Sequence, residues 1–200
     1  YPKMKISLLN RLSLVLIAIM VFACGEEKFV PKPHGYPRMI LPKKEYQNDE
    51  MKGPYHFEKP VYSLISEDEN NAGKHWYNID FEPFNATLHL TYYPFTRWEQ
   101  YDSMIADTRS LVYKHIQKAE DIVEDPVSNY NKDLKGLVFH IQGNTASNLN
   151  FYLTDSSQHF LRGALYFNGR TNADSIAPAF NYLWADVQHL FKTFKWEANP

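Results

Sequence analysis

Between residues 137 and 167 the chain alternates apolar and polar side chains in three successive segments joined by very short connections. Leu137, Phe139 and Ile141 share one face of the first, Leu149, Phe151 and Leu153 one face of the second, and Leu161, Leu165 and Phe167 one face of the third. The intervening stretches, Gly143-Asn144-Thr145-Ala146-Ser147 and Asp155-Ser156-Ser157-Gln158, are turn chemistry. A side-chain period of two defines half-buried strands. Connections this short cannot carry the crossover that a parallel pair requires, so the three strands form an antiparallel meander.

The same period occurs upstream. Tyr77, Ile79 and Phe81 oppose Trp76, Asn78 and Asp80, and Leu88, Leu90 and Tyr92 oppose Thr87, His89 and Thr91, with Pro83 and Asn85 turning the chain between them. Residues 61–65 supply a further short strand. The period then becomes helical: Trp98, Tyr101, Ile105, Val112, Ile116, Ala119 and Val123 predict a helix over about 97–122, opened by a Thr96/Glu99 capping box and ended before Pro126. A last helix begins near Asp174 or Ser175, with Pro178 in its first turn and a stripe of Ile176, Phe180, Leu183, Trp184, Val187, Phe191 and Phe194. The predicted fold is α+β, an antiparallel sheet of about six strands covered by two helices in the order βββαβββα. This order is similar to the PsbP/Mog1-like sandwich.

Composition removes several classes of function. The formal net charge is -2 and the basic residues are scattered, which gives no general attraction to nucleic acid. One cysteine in 200 residues excludes an intrachain disulfide, a dithiol redox pair and a cysteine-based zinc site. Cys24 closes a short apolar run, Leu12 to Phe22, that follows Lys5 and Arg11, and Val21-Phe22-Ala23-Cys24-Gly25 resembles a lipobox, with Phe22 a poor fit to it. Residues 1–23 therefore read as a lipoprotein signal peptide, with Tyr1-Pro2-Lys3 upstream of the natural start at Met4. Cys24 is the expected lipidation site, its acyl chains giving durable membrane anchoring. Residues 24–60, with Pro31, Pro33, Pro37, Pro42, Pro54 and Pro60, read as a spacer that becomes ordered as it nears a single domain over 61–200.

Candidate chemistry is sparse. Asp155, Ser156, Ser157, His159 and Arg162 suggest a hydrolase, but residues this close around a hairpin turn do not normally reach nucleophile–base–orienter geometry, and no G-x-S-x-G elbow is present. His89, His115, His140 and His189 lack metal-ligand spacing. Glu67, Asp68 and Glu69, and Glu124 with Asp125, read as solvated loop carboxylates. Gly163, inside a strand, makes room for a helix aromatic such as Trp184 or marks a bulge. Aromatic residues make up 16% of the chain, and Trp76, Tyr92, Tyr93, Tyr152 and Tyr166 fall on non-core or edge positions. Of these, Trp76, Tyr152 and Tyr166 are the candidate partner or glycan surface.

Several stretches carry a resemblance to a known family. They include Pro31-Lys32-Pro33-His34-Gly35-Tyr36, Asn78-Ile79-Asp80-Phe81, Tyr113-Lys114-His115, Gly143 to Ser147, the long Phe151–Phe167 block, Asn172-Ala173-Asp174-Ser175 and Trp196. Together they resemble the gliding-motility lipoprotein GldD of Bacteroidetes over essentially the whole chain after Cys24. The resemblance implies a non-catalytic envelope accessory whose partners are proteins of the gliding and type IX secretion machinery. It would sit in the outer rather than the inner membrane, periplasmic or surface-facing. It brings no catalytic residues, metal or cofactor beyond the lipid on Cys24, and no small-molecule substrate. A glycan- or peptidoglycan-binding envelope lipoprotein is the alternative.

Overall fold

The computed structural model describes residues 39–114, 118–169 and 172–197. Cys24, the leader and His115 lie outside them. Eleven strands and two α-helices occur among the described residues. Three short strands come first, β1 (Tyr46–Asn48), β2 (Tyr55–His56) and β3 (Glu58–Pro60). Next come β4 (Leu64–Glu67), β5 (Tyr77–Phe81), β6 (Ala86–Pro94) and helix α1 (Trp98–Tyr113). The second half comprises β7 (Ala119–Pro126), β8 (Lys135–Gly143), β9 (Ser147–Thr154), β10 (His159–Phe167), helix α2 (Ala173–Thr193) and β11 (Lys195–Trp196).

The main sheet has seven strands in the order β4-β5-β6-β10-β9-β8-β7, every pair antiparallel. The predicted α+β sheet with two helices is thus the observed fold, with one strand more. The meander of residues 135–167 and the hairpin of residues 77–94 are its two halves, and they meet where β6 pairs with β10. β1 pairs with β3 and β2 with β11 in two small ribbons outside this sheet.

The extra strand is β7, which replaces the predicted last turns of the first helix. Helix α1 ends at Tyr113, and residues 119–126 pair with β8 from Ala119 opposite Gly143 to Pro126 opposite Leu137. Ala119 and Val123 coincide with a helical stripe by spacing alone. The open edge of β8, with a row of unpaired backbone groups, is the stronger determinant. Helix α1 also starts one residue later than the capping box predicts. The Gln100 Oε1 accepts from the backbone N–H of Thr96 (3.0 Å) and of Arg97 (3.2 Å). Helix α2 is capped by Asn172, whose side chain accepts from the Ser175 N–H. Pro178 falls in its second turn rather than its first.

The two helices lie on opposite faces of the sheet. Tyr77, Ile79, Leu88, Leu90, Leu149, Phe151, Leu161 and Leu165 pack with Leu183, Val187, Leu190 and Phe191 of α2. The other face is smaller: Phe139, Ile141, Tyr152 and Phe160 pack with Tyr101, Met104, Ile105 and Val112 of α1. Pairing register decides which strand faces which helix. Val138 lies opposite Phe151 and Leu137 opposite Tyr152, so the odd positions of β8 and of β9 point to opposite sides of the sheet. All eight residues of β9 are buried. Gly163 lies opposite Phe151, and a Cβ there would come 2.1 Å from the Phe151 Cζ. The glycine makes room for its strand neighbour, not for Trp184.

The body begins well before residue 61. Met51, Tyr55 and Phe57 are core residues, and Asp186 of α2, 2% exposed, fastens the preceding segment. Its carboxylate accepts from the Tyr46 hydroxyl at 2.9 Å, accepts from the Tyr62 hydroxyl and pairs with the Lys44 ammonium at 2.6 Å. Lys44 also donates to the Tyr182 carbonyl and lies 3.5 Å from the centre of the Tyr182 ring. Burial, then the hydrogen bond to Asp186, raises the pKa of both phenols. Burial lowers that of Lys44 against the opposing pull of Asp186. Residues 44–60, the part of the predicted spacer nearest the domain, are a strap laced to α2.

Candidate functional site

One concave surface with several polar side chains is on the α1 side of the sheet, and it follows from register. One row of paired residues runs Thr91, Arg162, Tyr152, Leu137. The next runs Asn78, His89, Ala164, Asn150, Phe139. Each row is mostly polar toward β5 and β6 and apolar at the β8 end, and the residues packed with α1 include Phe139, Ile141, Tyr152 and Phe160. The polar end is left as a tray, walled on one side by Thr108, Leu111 and Val112 of α1, and it encloses a cavity of about 540 Å³.

Several tray groups are held in place. The His89 Nδ1 is 2.7 Å from the Asn78 Oδ1, and its ring meets the Tyr166 ring edge-on at 5.5 Å. The Trp76 indole N–H donates to the Tyr92 carbonyl at 2.8 Å, and its ring stands at 67° to that of Tyr93. Lys74 lies 5.4 Å from the Trp76 ring centre. Asn150, buried, donates to the Ser147 hydroxyl. Asp68, the acidic residue of the cavity lining, already accepts from Asn70 and Asn71.

Arg162 differs from these. Its guanidinium lies 6.0 Å from the Tyr93 ring centre. Among the described residues it donates no hydrogen bond from that group and has no carboxylate in ion-pair reach. Arg109, by contrast, is held in a fork by Glu124 at 2.8 and 3.0 Å. A guanidinium with five N–H donors and no protein partner suits a planar or tetrahedral oxyanion.

The predicted surface residues divide. Trp76 and Tyr166 line the tray, whereas Tyr152 is only 7% exposed and stacks on Phe160 beneath α1. Tyr152 is therefore a core residue, corrected from the surface set, because the apolar half of its row lies under the helix. A second depression, of about 840 Å³, adjoins the tray at Trp76, with Tyr92, Tyr93, His75 and His159 in its lining.

The 155–162 segment forms a turn. The Asp155 Oδ1 accepts from the N–H groups of Ser157, Gln158 and His159, and its Oδ2 accepts from the Ser157 hydroxyl at 2.6 Å. Burial opposes its ionisation, but the Ser157 hydroxyl and the three N–H donors outweigh that and hold the carboxyl at about 2. His159 is bonded instead to the Tyr92 hydroxyl at 2.7 Å and stacks on Trp196.

The remaining histidines and carboxylates are engaged separately. His140 sits edge-on to Trp184, its pKa lowered by burial against the pull of Asp125. His189 stacks on Tyr46 and pairs with Glu58. Glu124, predicted in a loop, lies in β7 and is tied to Arg109 and Tyr113. No group of three His, Cys, Asp or Glu side chains with metal-binding geometry occurs among the described residues.

Fold and site thus define an α+β sandwich body with a basic and aromatic tray on one sheet face. The chain belongs to the gliding motility lipoprotein GldD family, whose model matches residues 26–196. Membership makes it a membrane-anchored envelope lipoprotein of gliding motility. No curated protein matches the chain. A similar solved structure is the solution structure of cyanobacterial PsbP (CyanoP) from Synechocystis sp. PCC 6803. It is 10% identical, the match covers 78% of this chain and 95% of that one, and the TM-score is 0.41.

Proposed function

We propose that the chain is a non-catalytic accessory of gliding motility, lipidated on Cys24 and held at the outer membrane, that docks onto the motility apparatus and the type IX secretion machinery it works with. The family match over residues 26–196 carries this reading. It covers essentially everything that follows the lipobox-like segment, so the whole body resembles the family rather than one module of it. The commitment of Asp155, Ser157 and His159 to a turn and a core contact supports a docking role over hydrolysis.

Cross-linking in intact cells, then affinity capture from detergent-solubilised envelope, tests the docking. Motility and secretion components should be enriched with the parent chain. Their absence above background in several detergents refutes the proposal. Cys24→Ser should release the folded protein from the membrane fraction, and tight retention of that variant would show that lipid is not the anchor.

A further inference from the structure

We propose that the tray between α1 and the β5–β6–β10 sheet face binds an acidic saccharide, a pyranose bearing a carboxylate or a phosphate. Arg162 would take the acid group and Trp76 the ring face. The inference is independent of docking to the motility apparatus.

Four observations converge. The cavity of about 540 Å³ falls within the ~300–1,000 Å³ range of small-ligand sites. Its charge points to an anion, since Arg162, unpaired among the described residues, and Lys114 line the cavity against a single carboxylate, that of Asp68. An arginine fork matches carboxylate or phosphate with two parallel hydrogen bonds.

The walls also suit a hydroxylated ring. Asn78, His89, Thr91 and Asn150 bring amide, imidazole and hydroxyl groups to one surface. Ala164, between His89 and Asn150 in its row, leaves the depression open at its centre. The Trp76 indole N–H is already spent on the Tyr92 carbonyl, so the ring is oriented and its face is what it can offer. The neighbouring Tyr93 ring stands nearly upright to it at 67°. A flat base would gain most from two parallel rings. A puckered pyranose needs one ring under its C–H face and polar partners around its rim.

The test is isothermal titration calorimetry on the full chain in neutral detergent. The probes are disaccharides containing glucuronate or muramate, a glucosamine phosphate, their uncharged counterparts, and adenosine monophosphate as a ring-bearing anion of another class. An acidic saccharide should bind, and its neutral counterpart about tenfold or more weaker. The carboxylate and phosphate arms tell which acid group is read. Arg162→Gln should weaken binding by about tenfold or more and Arg162→Lys by less, since the charge survives without the fork. Trp76→Ala should weaken it with the acid preference retained. Thermal unfolding of each variant separates lost binding from lost structure, and Arg162→Lys keeps the test decisive if Arg162→Gln does not fold. The proposal is overturned if no acidic saccharide binds, if Arg162→Gln binds as the parent does, or if the nucleotide binds while the sugars do not.

Discussion

Replacing Gly163 by alanine tests the packing that sets the two faces of the sheet apart. An ideal Cβ at this position would lie 2.1, 2.4 and 2.6 Å from the Cζ, Cε1 and Cε2 of Phe151. Carbon atoms in good contact sit at about 3.5–4.0 Å, so the ring would have to retreat by roughly 1.4 Å or more. It has little room to do so, because Phe151 is fully buried and meets Phe191 edge-on at 4.9 Å and 88°. Overpacking a tight core costs about 1–3 kcal/mol, and removing a glycine from the unfolded chain returns about 0.4–1 kcal/mol. With three contacts inside van der Waals distance the cost belongs at the upper end, giving a net loss of about 2 kcal/mol. Urea unfolding followed by tryptophan fluorescence should show this, with the thermal midpoint falling by roughly 4–8 °C. Phe151→Leu alone should also destabilise, by leaving a cavity. The double variant should be less destabilised than the sum of the singles, with a coupling of about 1 kcal/mol. A Gly163→Ala protein as stable as its parent, or singles that simply add, would show that the ring is not what requires the glycine.

Three further outcomes follow from hydrogen-bonded ionisable groups. Asp186→Ala should cost about 2–4 kcal/mol, somewhat less than a fully buried pair because the Lys44 side chain keeps 29% exposure. Faster amide exchange at Tyr46–Asn48 would mark loosening of the strap, and unchanged exchange there would remove Asp186 as its fastening. Asp155, held at about 2, contributes stability that is present above its unfolded value near 3.9 and is lost as pH falls toward 2. Asp155→Asn should therefore flatten the stability curve between about pH 4 and 2, and an unaltered slope there would count against the turn as drawn. The His56 pKa is raised first by its hydrogen bond to Asp49, so its contribution is complete below about 6.5 and lost as pH rises through the raised value. NMR titration should place the His56 midpoint above that of a free histidine, and Asp49→Asn should bring it down; a midpoint indifferent to Asp49 would refute the assignment.

Much of the fold is legible because period-two alternation and short turns are local signals. The hairpin of residues 77–94 and the meander of residues 135–167 follow from them directly. The boundary errors lie where a distant partner decides the local structure. Residues 119–126 carry apolar side chains at spacings that serve a helix or a strand, and the unpaired edge of β8 selects the strand. Residues 44–60 look like a spacer because of their prolines. What folds them onto the body is distant in sequence: Asp186, 140 residues beyond Tyr46, and the core that receives Met51, Tyr55 and Phe57. The sequence does carry one trace of this, since Asp186 interrupts the apolar stripe between Leu183, Val187 and Leu190, where a charge is costly unless paired.

The tray shows why a site can be harder to read than the strands that build it. Trp76, His89, Arg162 and Tyr166 are each visible as outward positions of alternating strands, yet alternation does not say which outward face remains open. That depends on β6 pairing with β10, which places Thr91 beside Arg162 and His89 beside Ala164, and on how far α1 extends along the face. Tyr152 has the same pattern as Arg162, its partner across β9 and β10. One lies under the helix and the other beyond its edge. Arginine at such a position draws attention only once its surroundings are known, because on an open strand it would need no partner. Within a walled cavity whose lining holds Lys114 and only one carboxylate, Asp68, a guanidinium with no protein partner among the described residues is free to meet an incoming acid group. The length of α1 thus shapes the tray: a helix continuing through residue 122, as its spacing suggests, would deprive β8 of its edge partner and change the wall beside Arg162.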